Sequence, residues 1–149
     1  HDFASGLQSF ARIAGQVSDQ PLISNEQLSA GGMDSARGYL EAEALGDYGL
    51  LASAELRSPE LLQWLLPSVG DAGEMRFFSF VDAARLQLVG PLPDDSTPGT
   101  ADLLSVGAGL SLRVHRHLNG VIDYARAIED GPATDGGSDR LLFRVWTSF

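Results

Sequence analysis

The stretch Pro21–Gly49, PLISNEQLSAGGMDSARGYLEAEALGDYG, most narrows what this chain can become. It is rich in Gly, Ser and acidic residues and keeps neither a helical nor a strand period. A connection of this length inside a compact domain is uncommon and usually functional. Its flanks, Leu7–Val17 and Tyr48–Ser58, alternate in hydrophobicity over about ten residues, the length and rhythm of bilayer-crossing β-strands. The expectation is a functional loop, residues 19–47, between two barrel strands, with Ala36-Arg37-Gly38-Tyr39 at its heart.

The alternation continues downstream. In Glu74–Leu88 the residues Arg76, Phe78, Phe80, Asp82, Ala84 and Leu86 share one face. Asp82, an acid in the middle of an aromatic strand, must then face the lumen, because a mid-membrane charge on the lipid face is costly. Leu104–Val114 sets branched aliphatics against Ser105, Gly107, Gly109, Ser111 and Arg113, a lipid face against a lumen face. In Leu118–Ile128, Arg126 falls on the apolar parity, so it must sit near the interface or follow a bulge. Arg140–Phe149 closes the set, a strand-forming decapeptide where soluble domains usually fray.

Between these strands, Pro59 stops the second, and Pro59–Gly73 is expected to pack at a barrel rim, with Trp64 at the interface and one helical turn. Gly90–Leu103 and Glu129–Asp139 are expected as exposed loops. About six strands emerge, with long and short connections alternating as in outer-membrane barrels. The expected class is all-β: about six antiparallel strands forming the C-terminal part of a transmembrane β-barrel.

Charge excludes some partners. Ten basic residues, all Arg, against twenty acids leave a net charge of −10, which speaks against a nucleic-acid backbone. Cys is absent, so no disulfide framework or thiolate metal site arises. No run approaches the roughly 18 apolar residues of a transmembrane helix, and a mean hydropathy of −0.01 suits an alternating chain. A chain that starts at His1 with strand pattern almost at once is expected to lack an upstream part.

The loop resembles that of the two-partner secretion transporters, the haemolysin secretion/activation proteins. Their pattern, approximately L-x-S-x-E-Q-F-x-x-G-G-x-x-S-V-R-G-Y, is met by Leu22 through Tyr39, with Leu28 for Phe and Ala36 for Val. Their second signature, F-x-D-x-G, is similar to Phe80-Val81-Asp82-Ala83-Ala84, where Ala84 replaces Gly. Phe149 is similar to the C-terminal signal read by the barrel-assembly machinery. The resemblance implies a barrel of roughly sixteen strands, of which residues 1–149 would supply the last six, without the plug helix, POTRA domains and earlier strands.

It also implies an outer-membrane location, a lipid bilayer and a secreted exoprotein as partners, and no cofactor. The loop would fold back from the cell surface into the lumen, where its Arg pairs with the Asp of the second signature. Arg37, Gly38, Tyr39, Phe80 and Asp82 are therefore the expected loop lock, and Phe149 the expected assembly signal. Chemistry fits: Arg37 is the loop's only cation, a guanidinium matches a carboxylate bidentately, Gly38 permits a close turn, and Tyr39 offers a flat face with a polar tip.

Other candidates are weaker. His115 and His117 share a strand face but have no apparent third metal ligand, so a solvated turn is expected. Glu41 and Glu43 have no nucleophile or partner nearby and are expected as a solvated flank. Ser35 lacks the G-x-S-x-G elbow, and no glycine-rich phosphate cradle is present, so no enzyme is expected. Against secretion stand a barrel-assembly insertase or passive barrel of the same superfamily and, more remotely, a soluble β-sandwich. The Ser-x-Glu-Gln element before Gly31-Gly32 favours secretion. Two upstream POTRA domains with a plug helix would support it; about five would favour assembly.

Overall fold

The computed structural model describes residues 1–65, 73–90, 99–115 and 117–148. Eight strands and one short helix follow in order: β1 (Gln8–Gln16), β2 (Leu28–Ala30), β3 (Ala44–Gly46), β4 (Tyr48–Arg57), α1 (Leu62–Leu65), β5 (Gly73–Gln87), β6 (Thr100–Val114), β7 (Leu118–Ala127) and β8 (Asp139–Thr147). Six of them form one antiparallel sheet in the order β1-β4-β5-β6-β7-β8. Each strand pairs with its neighbour across the long loop or the next connection, so the sheet is a meander. It does not close: β1 and β8 stand at its edges.

The period-2 alternation sorts side chains to two faces. Ile13, Leu50, Phe77, Val81, Ile122, Phe143 and Val145 point outward and stay largely exposed, Phe143 at 77%. An apolar face this continuous is not that of a monomeric soluble domain. The other face is concave and holds the long loop. Asp34 shows the curvature: its carbonyl accepts from Arg12 of β1 at 3.4 Å, and its carboxylate from Arg144 of β8 at 2.9 Å. One loop residue thus touches the first and last strands of the sheet. The chain is a section of barrel wall.

Two details depart from the sequence reading, and a third decides between the two alternatives it left for Arg126. Pro21–Gly49 is not wholly irregular, because β2 and β3 pair within it from Leu28↔Gly46 to Ala30↔Ala44. Three-residue strands are too short to leave a period. β6 starts at Thr100 rather than Leu104, paired with Gln87 of β5; the adjacent Leu103 and Leu104 hide the alternation there. Arg126 follows no bulge. Its register is continuous from Val106 on one side to Asp139 on the other, and its guanidinium lies 3.6 Å from the Asp139 carboxylate at the exposed rim.

Between β4 and β5, α1 supplies the expected helical turn, capped by Glu60, whose carboxylate accepts from the Leu62 and Gln63 amides. Trp64 stands exposed on it.

Candidate functional site

The loop enters the concave face through a turn at Gly31 and Gly32. Gly31 has φ +115, and a Cβ there would lie 2.1 Å from the Leu40 carbonyl, so only glycine fits. Ser35 closes the turn: its hydroxyl accepts from the Gly31 amide at 2.9 Å and donates to the Gly31 carbonyl at 3.0 Å. This is a structural stitch, with no nucleophile's surroundings. The turn aims Arg37 at the sheet.

Arg37 is 8% exposed and Asp82 1%. The guanidinium meets Asp82 in the bidentate manner, Nε donating to Oδ2 at 2.8 Å and Nη2 to Oδ1 at 3.0 Å. Its Cζ sits 3.4 Å from the Phe80 ring centroid. The F-x-D spacing explains both contacts, since residues two apart on a strand share a face. Phe80 receives the flat face of the guanidinium while Asp82 takes its edge. Ser53 of β4 donates to Asp82 Oδ1 at 2.6 Å and fixes the carboxylate.

Two further carboxylates surround the same cation. Glu55 of β4 accepts from Arg37 Nη1 at 3.2 Å, and Asp123 of β7 lies 4.0 Å from it. Asp123 is buried, and its Oδ1 has no hydrogen-bond partner among the described residues. Three carboxylates from three strands thus converge on one guanidinium. The sequence reading missed Glu55 and Asp123, although each lies on the inward parity of its strand, the signal that placed Asp82.

Gly38 and Tyr39 seat beside the pair. A Cβ on Gly38 would lie 2.8 Å from the Ala127 amide nitrogen and 2.9 Å from the Ser105 Cβ. It sits in the expected close turn, where the Tyr39 amide donates to the Ala36 carbonyl at 3.2 Å, and it also permits close approach to β6 and β7. Tyr39 is fully buried; its hydroxyl lies 2.9 Å from the Leu104 carbonyl and 2.8 Å from that of Glu129, and accepts from the Leu104 amide at 3.1 Å. Ala36 and Ala84, the two alanines that depart from the resembling signatures, share one buried cluster with Tyr39, Leu86 and Leu103.

Nearer the surface, two acids tie the loop to its neighbours. Asp47, 1% exposed, accepts from the Leu22 amide at 2.8 Å, the Gln27 side chain at 3.0 Å and the Val89 amide at 2.7 Å. The Gln27 bond first, then the Val89 and Leu22 amides, hold its carboxyl below the ordinary aspartate range. Glu43 is not the solvated flank expected. Its carboxylate accepts from the Leu40 amide at 2.7 Å and, across the gap to the β7–β8 loop, from the amides of Ala133 and Thr134 and the Thr134 hydroxyl. Burial alone would raise the Glu43 carboxyl, but the Thr134 hydroxyl and these amides together keep it low. The hydrogen bond from Arg144 likewise lowers Asp34.

The remaining candidates stay apart from this centre. His115 adopts φ 49 in the β6–β7 turn, and the His117 ring bonds the Ser148 carbonyl at 3.0 Å. Among the described residues no group of three or more His, Cys, Asp or Glu is placed to hold a metal. Phe149 lies outside the described residues. Beneath the loop, a cavity of about 560 Å3 is lined by Arg37, Glu55, Arg57, Arg76, Asp123 and Trp146 among others. Its wall is charged and neutralised by pairs such as Arg57–Glu55 and Arg76–Glu74. What the arrangement does chemically is hold a loop in a lumen.

A family profile described as haemolysin secretion/activation protein ShlB/FhaC/HecB matches residues 2–114, most of the chain and both signature segments. No curated protein and no solved structure matches.

Proposed function

The chain belongs to the haemolysin secretion/activation family, and from that premise we propose that it is part of the wall of an outer-membrane barrel that passes a partner exoprotein to the cell surface. On this reading residues 1–149 contribute six strands of the transporter's barrel wall. The role is not enzymatic. It consists of a pore and the loop that occupies it. The outward apolar face meets the bilayer of the bacterial outer membrane.

The observation that carries the reading is the buried Arg37–Asp82 pair, made by a loop that traverses the concave face. A loop seated this deeply fills the space through which a polypeptide would pass. Arg37 has alternative carboxylates at Glu55 and Asp123, so it can leave Asp82 without meeting an empty apolar wall. Holding and releasing the loop are then two positions of one cation. A tenfold change between them needs only about 1.4 kcal/mol.

The test is removal of the complete transporter from its host. Secretion predicts that one exoprotein accumulates in the periplasm, that other outer-membrane barrels keep their normal levels, and that a plasmid copy restores export. A general loss of folded barrels with no exoprotein trapped would point instead to an assembly insertase.

A further inference from the structure

The lock cannot be the only grip on the loop tip. Four donors converge on the Glu43 carboxylate, and three of them come from the β7–β8 loop: the Ala133 amide at 3.0 Å, the Thr134 amide at 2.7 Å and the Thr134 hydroxyl. The fourth is the Leu40 amide, in the residue after Tyr39. One carboxylate therefore joins the tip of the long loop to a different loop some ninety positions away (|i−j| of 90 and 91).

The receiving segment is shaped for this. The Gly131 amide donates to the Thr134 carbonyl at 2.8 Å, closing a tight turn that presents its amides inward. A Cβ on Gly131 would lie 2.4 Å from Glu43 Oε1 and 3.0 Å from the Tyr39 ring. Thr134 is 5% exposed. The same loop supplies the Glu129 carbonyl that meets the Tyr39 hydroxyl. Tyr39 and Glu43 thus enter one pocket, two residues downstream of Arg37 and beyond.

We propose that Glu43 and the segment Gly131–Thr134 form a second latch, a positioning site that fixes Tyr39 and through it the reach of Arg37 to Asp82. The proposal rests on the reading of Arg37–Asp82 as the resting lock. The Glu43 carboxylate bonds Leu40, Ala133 and Thr134 rather than Arg37 or Asp82, and it acts on that pair through Tyr39 and the chain between positions 37 and 43. The β7–β8 loop thereby gains a function, reporting or controlling whether the long loop is seated. Release of the loop requires both grips to part.

The experiment uses the complete transporter with nitroxide labels at positions 41 and 132, both on exposed residues, and reads their distance by pulsed electron resonance. Thr134→Val keeps the shape and removes the hydroxyl; Thr134→Ser keeps the hydroxyl; Glu43→Gln keeps the shape and removes the charge. A hydrogen bond to a charged group is worth enough for about a tenfold shift in population when lost.

Thr134→Val and Glu43→Gln should each broaden and lengthen the distance distribution. They should raise resting conductance in planar bilayers about tenfold at unchanged levels of folded barrel. Thr134→Ser should match the parent. A distance distribution unmoved by Thr134→Val and Glu43→Gln would overturn the latch, as would equal loss in Thr134→Ser. Asp82→Asn separates the two readings: if it leaves conductance unchanged while the latch variants move the label distance, the lock is what fails.

Discussion

The Arg37 lock and the root of the long loop are both held by acids, yet by opposite means. At the lock, one guanidinium faces three carboxylates, Asp82, Glu55 and Asp123. At the root, one carboxylate, Asp47, faces donors that are mostly main chain, the amides of Leu22 and Val89 beside the Gln27 side chain. A cation with spare acceptors can exchange partners. A carboxylate bonded to main-chain amides has nowhere else to go without moving the segments that carry them. The Arg37 lock is therefore built to shift and the root to stay.

That contrast can be attacked from its strongest side first. Gly38→Ala puts a methyl where the Ala127 amide and Ser105 already crowd, at 2.8 and 2.9 Å. Overpacking of this kind costs about 1–3 kcal/mol, and it falls on the seated tip alone. We expect resting conductance to rise by an order of magnitude or more while heat-modifiable barrel stays constant. Glu55→Gln should act in the same sense but less, about 1 kcal/mol, because Asp82 still holds Nε and Nη2. A Glu55 effect as large as that of Gly38 would mean the three carboxylates are not ranked as the geometry ranks them.

The smallest effect is expected under mild acid, at the root and at the Glu43 latch. Asp47 and Glu43 are held below their ordinary values in the folded chain. A depressed carboxylate contributes stability that is present above its unfolded value and lost as pH falls through its folded value. Lowering pH from 7 to about 5 therefore leaves both ionised and the root intact, and loosening begins only below about 4. Protease access to the 17–30 segment should stay flat over the first interval and rise in the second.

The strands were legible because alternation over ten residues survives translation into a pleated wall, and Asp82 was placed by parity alone. Arg37 found its partner through the paired signatures, which the geometry then explained by Phe80 and Asp82 sharing a face. What the sequence hid is non-local. Glu43 looked solvated because its partner, Thr134, lies in another loop, and Asp47 was not singled out because Leu22 and Val89, which converge on it, are distant in sequence. Neither contact leaves a local period. β2 and β3 escaped for a related reason, since their pairing is three residues long and its signal lies in closure of the loop.

The central claim is that Arg37 and Asp82 work as one lock. Removing one partner of a buried ion pair costs about 3–5 kcal/mol, and removing the second adds little when the two form a unit. The decisive measurement is secreted exoprotein per folded barrel for Arg37→Ala, Asp82→Ala and the double variant of the complete transporter. The account predicts a comparable defect in each single variant, a double variant little worse than either, and undiminished barrel levels throughout. Independent defects that multiply in the double variant would contradict it.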